Sequence, residues 1–177
     1  MKLQYLLFFF TLLCPIMAWA QPANDECISA IELPQVEEFC SGEAGFTNVN
    51  ATASFDQNGY DVCVSEPYQM RDVWYSFVAL RNSASITLDG RIPGNERGSL
   101  SEPQMTVYEN GCGSLTTADA LICKSPFEMD NGVNAILTDL TVGETYLILV
   151  GARNGNQGTF ELCVNQFDAV PEPDADC

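Results

Sequence analysis

The sequence contains no histidine. That excludes Ser-His-Asp triads, Cys-His dyads and every imidazole zinc site. Positive charge is scarce: seven Lys and Arg stand against 24 Asp and Glu, for a net charge of −17. Such a chain repels phosphate backbones and anionic membrane surfaces, so neither nucleic acid nor an acidic bilayer is an expected partner. After the first twenty residues no run is long and apolar enough to span a bilayer. No stretch carries a convincing amphipathic-helix period, and without crossover helices a parallel α/β fold is ruled out. Lys124 is the only lysine after Lys2. A Ser-Lys catalytic pair would need Lys124 and Ser125, which face opposite ways on a strand. Paired carboxylates stay open in principle, yet nothing in the sequence singles out a pair. The expectation is a protein that is not an enzyme.

What is present begins with a leader. Lys2 is followed by the apolar run Leu6 to Leu13 and by Ala18-Trp19-Ala20, a small-x-small cleavage site. Residues 1–20 read as a secretory signal peptide. Cys14 follows Leu13, where a lipobox requires a small residue, so lipidation is not expected. Cleavage would make Gln21 the first residue, able to cyclise to pyroglutamate. The mature chain of 157 residues is enough for one domain with its own core. Localisation is expected to be extracellular, secreted or at the cell surface.

The sequence is organised around Asp72-Val73-Trp74-Tyr75-Ser76-Phe77-Val78-Ala79. At period two, Val73, Tyr75, Phe77 and Ala79 share one face, and Trp74, Ser76 and Val78 the other. Both faces are mostly apolar, which predicts a central strand covered on both sides. The alternative makes Trp74 or Tyr75 an exposed platform for stacking a sugar. Other strands are read at Val36 to Cys40, Phe46 to Phe55, Ala84 to Asp89, Gln104 to Glu109, Ala118 to Lys124, Ala135 to Leu137, Tyr146 to Val150 and Thr159 to Val164. Ile28 to Leu33 fits either a short helical turn or an edge strand. Asp56 to Asp61 is turn chemistry, Gly90 to Ser101 a mobile loop, and Arg153 to Gly158 a hairpin loop. Tyr146, just after the turn at Gly143, has the placement of a tyrosine corner. The predicted core includes Val73, Trp74, Tyr75, Phe77, Tyr146, Ile148, Phe160 and Leu162. About nine short strands with regular turn signals predict an all-β fold, an antiparallel β-sandwich of jelly-roll type.

Seven cysteines follow the leader: Cys27, Cys40, Cys63, Cys112, Cys123, Cys163 and Cys177. In an oxidising compartment they read as disulfides, and the six within residues 21–166 allow 15 connectivities. Residues 167–177 are acidic and contain prolines, as a stiff linker does. Asp174-Ala175-Asp176-Cys177 after Pro173 echoes Asn24-Asp25-Glu26-Cys27 after Pro22. A second module is therefore expected to begin near Cys177. Calcium is the one cofactor the residues suggest, through Asp25, Glu26, Asp72 and Asp130 with Asn131.

Five segments act as anchors. Asn24-Asp25-Glu26-Cys27 opens the module, and Asp72-Val73-Trp74-Tyr75-Ser76-Phe77 stands in its middle. Val107 to Leu115, Leu140 to Tyr146 and Gly158 to Val164 follow. Together they resemble the cysteine-bearing β-sandwich repeats of secreted and surface proteins of gliding bacteria, which often use type IX secretion. They also resemble the bacterial pre-peptidase C-terminal domain, a non-catalytic sandwich appended to exoproteins. The resemblance covers residues 24–165. It implies bridges Cys27–Cys163, Cys40–Cys63 and Cys112–Cys123, and a type IX sorting segment, where one exists, beyond Cys177. It implies a non-catalytic extracellular module with a structural, adhesive or carbohydrate-binding role. The alternative is an accessory domain of a secreted hydrolase, usually a protease. Expected partners are neighbouring modules, with glycans or surface proteins as candidates.

Overall fold

A strand that is apolar on both faces needs cover on both faces, and that requirement organises the architecture. The computed structural model describes residues 20–54, 70–91, 94, 97–109, 111–113, 115, 120–125 and 132–169. Among the described residues there are ten strands: β1 (Ile31–Glu32), β2 (Glu38–Cys40), β3 (Phe46–Thr47), β4 (Val73–Val78) and β5 (Ser83–Asp89). They continue with β6 (Pro103–Glu109), β7 (Ala120–Lys124), β8 (Gly132–Leu137), β9 (Thr145–Ala152) and β10 (Thr159–Phe167). The first sheet has the order β1-β4-β9-β6-β7, the second β2-β10-β5-β8, and β3 pairs with the start of β10. The fold is the expected all-β, mostly antiparallel sandwich. The exception is β1, which runs parallel to β4.

The two faces of β4 go to different places. Val73, Tyr75 and Phe77 enter the main core between the sheets, with Met105 and Val107 of β6, and Tyr146, Ile148 and Val150 of β9. The second sheet supplies Ile86, Leu88, Ala135, Phe160, Leu162 and Val164 to the same core. Trp74 turns the other way and packs with Met70, Tyr108, Leu147 and Leu149 on the outer face of the first sheet. Cys27, Ala30, Cys112 and Leu115 close over them. Trp74 and Tyr75 are each 1% exposed, so the exposed stacking platform is overturned. Tyr146 acts as a corner: its hydroxyl accepts from Thr141 N at 2.9 Å.

Four local readings change. Ile28 to Leu33 is both things in turn, a 3-10 turn at Cys27–Ser29 and then β1. Residues 51–54 are not a strand. Thr52 and Ser54 give their amides to the carboxylates of Asp25 and Asp72 instead of to a ladder. Residues 98–100 are pinned rather than mobile: Ser99 N and Leu100 N both donate to Thr159 O, and Leu100 is fully buried. Glycine permits this approach, because a Cβ on Gly158 would lie 2.5 Å from Leu100 N. Residues 153–158 join β9 in one sheet to β10 in the other, so they form a crossover and not a hairpin.

The disulfides also differ from the expected pairing. Cys27 bonds Cys112 with a Cα separation of 5.7 Å, and Cys40 bonds Cys163 at 4.1 Å. Cys27–Cys163 fails because Cys27 covers the outer face of the first sheet while Cys163 points to the outer face of the second. Packed sheets lie about 10 Å apart, and their outer faces diverge. Cys40–Cys63 fails because Cys40 stands directly opposite Cys163 across the β2–β10 pair. Cys112–Cys123 fails because Cys27 has taken Cys112; Cys123 is itself disulfide-bonded. Outside the described residues lie Cys63 and Cys177, residues 1–19 of the leader, the turn at 56–61, Asp130-Asn131 and the linker from 170 onward.

Two outcomes check this architecture. Mass spectrometry of unreduced peptides should recover Cys27–Cys112 and Cys40–Cys163; a Cys27–Cys163 peptide would contradict the fold. Loops of 85 and 123 residues each gain at most about 4.5–5 kcal/mol by chain entropy, so reductant should lower the urea midpoint sharply. Trp74→Ala should cost about 3–5 kcal/mol in urea unfolding, as loss of a buried aromatic does. A loss below about 1 kcal/mol would place the indole outside the core.

Candidate functional site

Two places on the sandwich collect polar chemistry. The first lies where the N-terminal segment meets β4. Asn24 and Trp74 exchange two hydrogen bonds, Trp74 N to Asn24 O at 2.9 Å and Asn24 Nδ2 to Trp74 O at 2.8 Å. Asp25 accepts from Thr52 N at 2.6 Å and Thr52 Oγ1 at 2.7 Å. Asp72 accepts from Ser54 N and from Ser54 Oγ, and Trp74 Nε1 donates to the same Ser54 Oγ at 2.8 Å. A cleft of about 240 Å³ opens beside them, lined by Glu26, Cys27, Ser54, Trp74, Cys112 and Leu115.

Burial pushes the Asp72 carboxyl up to about 7. The two hydrogen bonds from Ser54 oppose that shift, and the nearby negative charges of Asp25 and Glu26 add to it. Three of the four residues expected to hold calcium, Asp25, Glu26 and Asp72, thus share one neighbourhood; Asp130 is outside the described residues. Thr52 and Ser54 already engage the Asp25 and Asp72 carboxylates. Among the described residues no group of three or more His, Cys, Asp or Glu is arranged to hold a metal ion. The Ser54 hydroxyl is held between two fixed partners, accepting from the Trp74 indole and contacting the Asp72 carboxyl. The network fastens the N-terminal cover to the central strand.

The second place is the outer face of the second sheet, which nothing described covers. Strand register builds it as rows across the strands. Cys40, Cys163, Thr87 and Asn134 form one row. Glu38, Asn165, Ser85 and Ile136 form the next. Glu161 opposite Asp89 lies beyond the first row, and Phe167 opposite Ser83 beyond the second. Asn134 Nδ2 donates to Ser85 Oγ at 3.1 Å and to Thr87 Oγ1 at 2.9 Å, fixing both hydroxyls. A groove of about 530 Å³ lies over β2, β10 and β5, floored by the Cys40–Cys163 bridge, Ser85, Thr87 and Asn165, with Glu38 at its side.

The outward polarity of Ser85, Thr87 and Asp89 is legible in the alternation of β5. Glu38, Asn134 and Asn165 carry no sign of membership until the register places them beside it. No protein-family model matches the chain, and no curated protein matches it.

The buried carboxyl sets a pH dependence. A folded-state value near 7, above the model-peptide 3.8, means that the folded protein holds a proton which the unfolded chain releases. The stability this confers is complete below pH 4 and is lost as pH rises through 7. Lowering the pH from 8 to 5 should therefore add about 2–3 kcal/mol to unfolding free energy through this group. Asp72→Asn should remove that increment in urea titrations. An identical increment in the variant would assign the effect to general repulsion among the acids.

Proposed function

We propose that this chain is an exported, non-catalytic sandwich module of a longer secreted or surface protein, serving a structural or adhesive role. The observation that carries the reading is the two disulfides between described residues, one on each outer face. Such bridges form and persist in oxidising compartments. The apolar leader of residues 1–20 gives the route, and the resemblance to cysteine-bearing sandwich repeats agrees with the fold. Two features support a passive role: a sequence without histidine, and the hydroxyl of exposed Ser54 tied to the buried Asp72 carboxyl as a fastening.

Fractionation of the native host tests this. The protein should be found outside the inner membrane, beginning at Gln21 or its pyroglutamate form. Cys27, Cys40, Cys112 and Cys163 should resist alkylation until reductant is added. A cytoplasmic protein that retains Met1 and reacts at all four thiols would overturn the reading. A hydrolase block in the same reading frame would shift the role to that of an accessory domain.

A further inference from the structure

We propose that the groove on the outer face of the second sheet binds a neutral glycan; this rests on the exported reading above and gives its adhesive role a site. Beside the Cys40–Cys163 bridge, the floor holds Ser85, Thr87 and Asn165, groups that both donate and accept, as sugar hydroxyls do. Asn134 occupies acceptor positions on the Ser85 and Thr87 hydroxyls, so their protons are free to turn outward as donors. Asn165 sits beside Ser85, with Glu38 next to it on β2, where a carboxylate can accept from two adjacent sugar hydroxyls.

Apolar contact is available on the same face. Ile136 is 59% exposed in the row of Ser85 and Asn165, and Phe167 is 38% exposed one step further along β10. A pyranose ring has C–H faces as well as hydroxyl edges, and this mixture of side chains suits both. The four strands span roughly 14 Å, the length of a short run of linked rings. The groove of about 530 Å³ falls within the range of small-ligand sites.

Charge decides which glycan. Glu38 lies in one row and Glu161 beside the other, and neither row holds a lysine or arginine. Arg97 is drawn to Glu43 and Glu161 at 3.2 and 3.6 Å. Uronate, sulfate and phosphate sugars would meet net repulsion, whereas neutral hydroxyls would not. A protein partner fits less well, because the middle of the face lacks the large apolar or aromatic anchor on which such interfaces depend.

The test uses the oxidised chain from Gln21 onward in affinity electrophoresis through soluble β-glucan, mannan, xylan and dextran, with alginate and polygalacturonate as anionic probes. At least one neutral polymer should retard the protein, and neither anionic one should. Asn165→Ala should weaken that retardation about tenfold, the scale of one lost hydrogen-bonding group, and Ser85→Trp, which fills the groove, should weaken it at least as much, both with an unchanged melting temperature. Val142→Ala, at a loop position away from the groove, should bind as the parent does. Retardation by no neutral polymer overturns the proposal. So does full binding by a folded Asn165→Ala protein, which would move glycan capture to another face. Stronger retardation by the anionic polymers overturns it as well. Failure of the exported reading would show separately, in the fractionation of the host.

Discussion

The burial of β4 on both faces is the constraint from which the remaining architecture follows. Its inward side chains, Val73, Tyr75 and Phe77, need a second sheet opposite them. Its outward Trp74, with Tyr108, Leu147 and Leu149 from neighbouring strands, needs a lid on the other side. The lid is built from backbone that is not sheet, so its polar groups need partners of another kind. Asn24, Asp25 and Asp72 supply them by bonding to the Trp74 backbone, Thr52 and Ser54. The cost of burying the Asp72 carboxylate is reduced by keeping it protonated over part of the physiological range.

Each disulfide secures the part of its face with the least support of its own. The 3-10 turn at Cys27–Ser29 has no buried residue, and the bond to Cys112 holds it across the outer face of the first sheet. Strand β2 has three residues and pairs only along β10 among the described strands. The Cys40–Cys163 bond replaces the ladder that a longer edge strand would have had. Arg81 adds a surface clasp to Glu37 and Asp168 near the same edge, but exposed ion pairs of this kind contribute little.

The strands were legible in the sequence because period-two alternation is a local property. Ile86 and Leu88 announce β5, and Phe160, Leu162 and Val164 announce β10. The double-sided apolarity at 73–78 also reads correctly, since central burial leaves its mark on every residue of the run. Pairing of cysteines is not local. Cys163 and Cys40 meet only because β10 lies beside β2, and Cys27 reaches Cys112 only because both cover the same sheet. The segment 51–54 misled for a related reason: Ala51 to Ser54 has strand chemistry, but its amides find carboxylates that lie 18 and 27 residues away in the chain. The outward face of the second sheet was half legible. The hydroxyl row of β5 was visible, whereas Glu38, Asn134 and Asn165 join it through register alone.

An antiparallel sheet needs no ligand to leave one face in water. Openness by itself therefore does not distinguish the second sheet from any solvated surface. The arrangement on that surface does. Long charged side chains would be the simplest way to keep such a face soluble, yet its centre holds Ser85, Thr87, Asn165 and a disulfide. Short groups there make a groove with the larger Glu38 in its lining, and Ile136 and Phe167 stand elsewhere on the same face. Asn134 spends its amide on holding two hydroxyls in place, where water alone would have satisfied them. Ordering of this kind reduces what must be ordered when a ligand arrives. The covered face of the first sheet gives stability and the open face of the second gives preorganised polar groups. That division lets one strand pattern be a packed cover on one side and, under the proposed glycan reading, a recognition surface on the other.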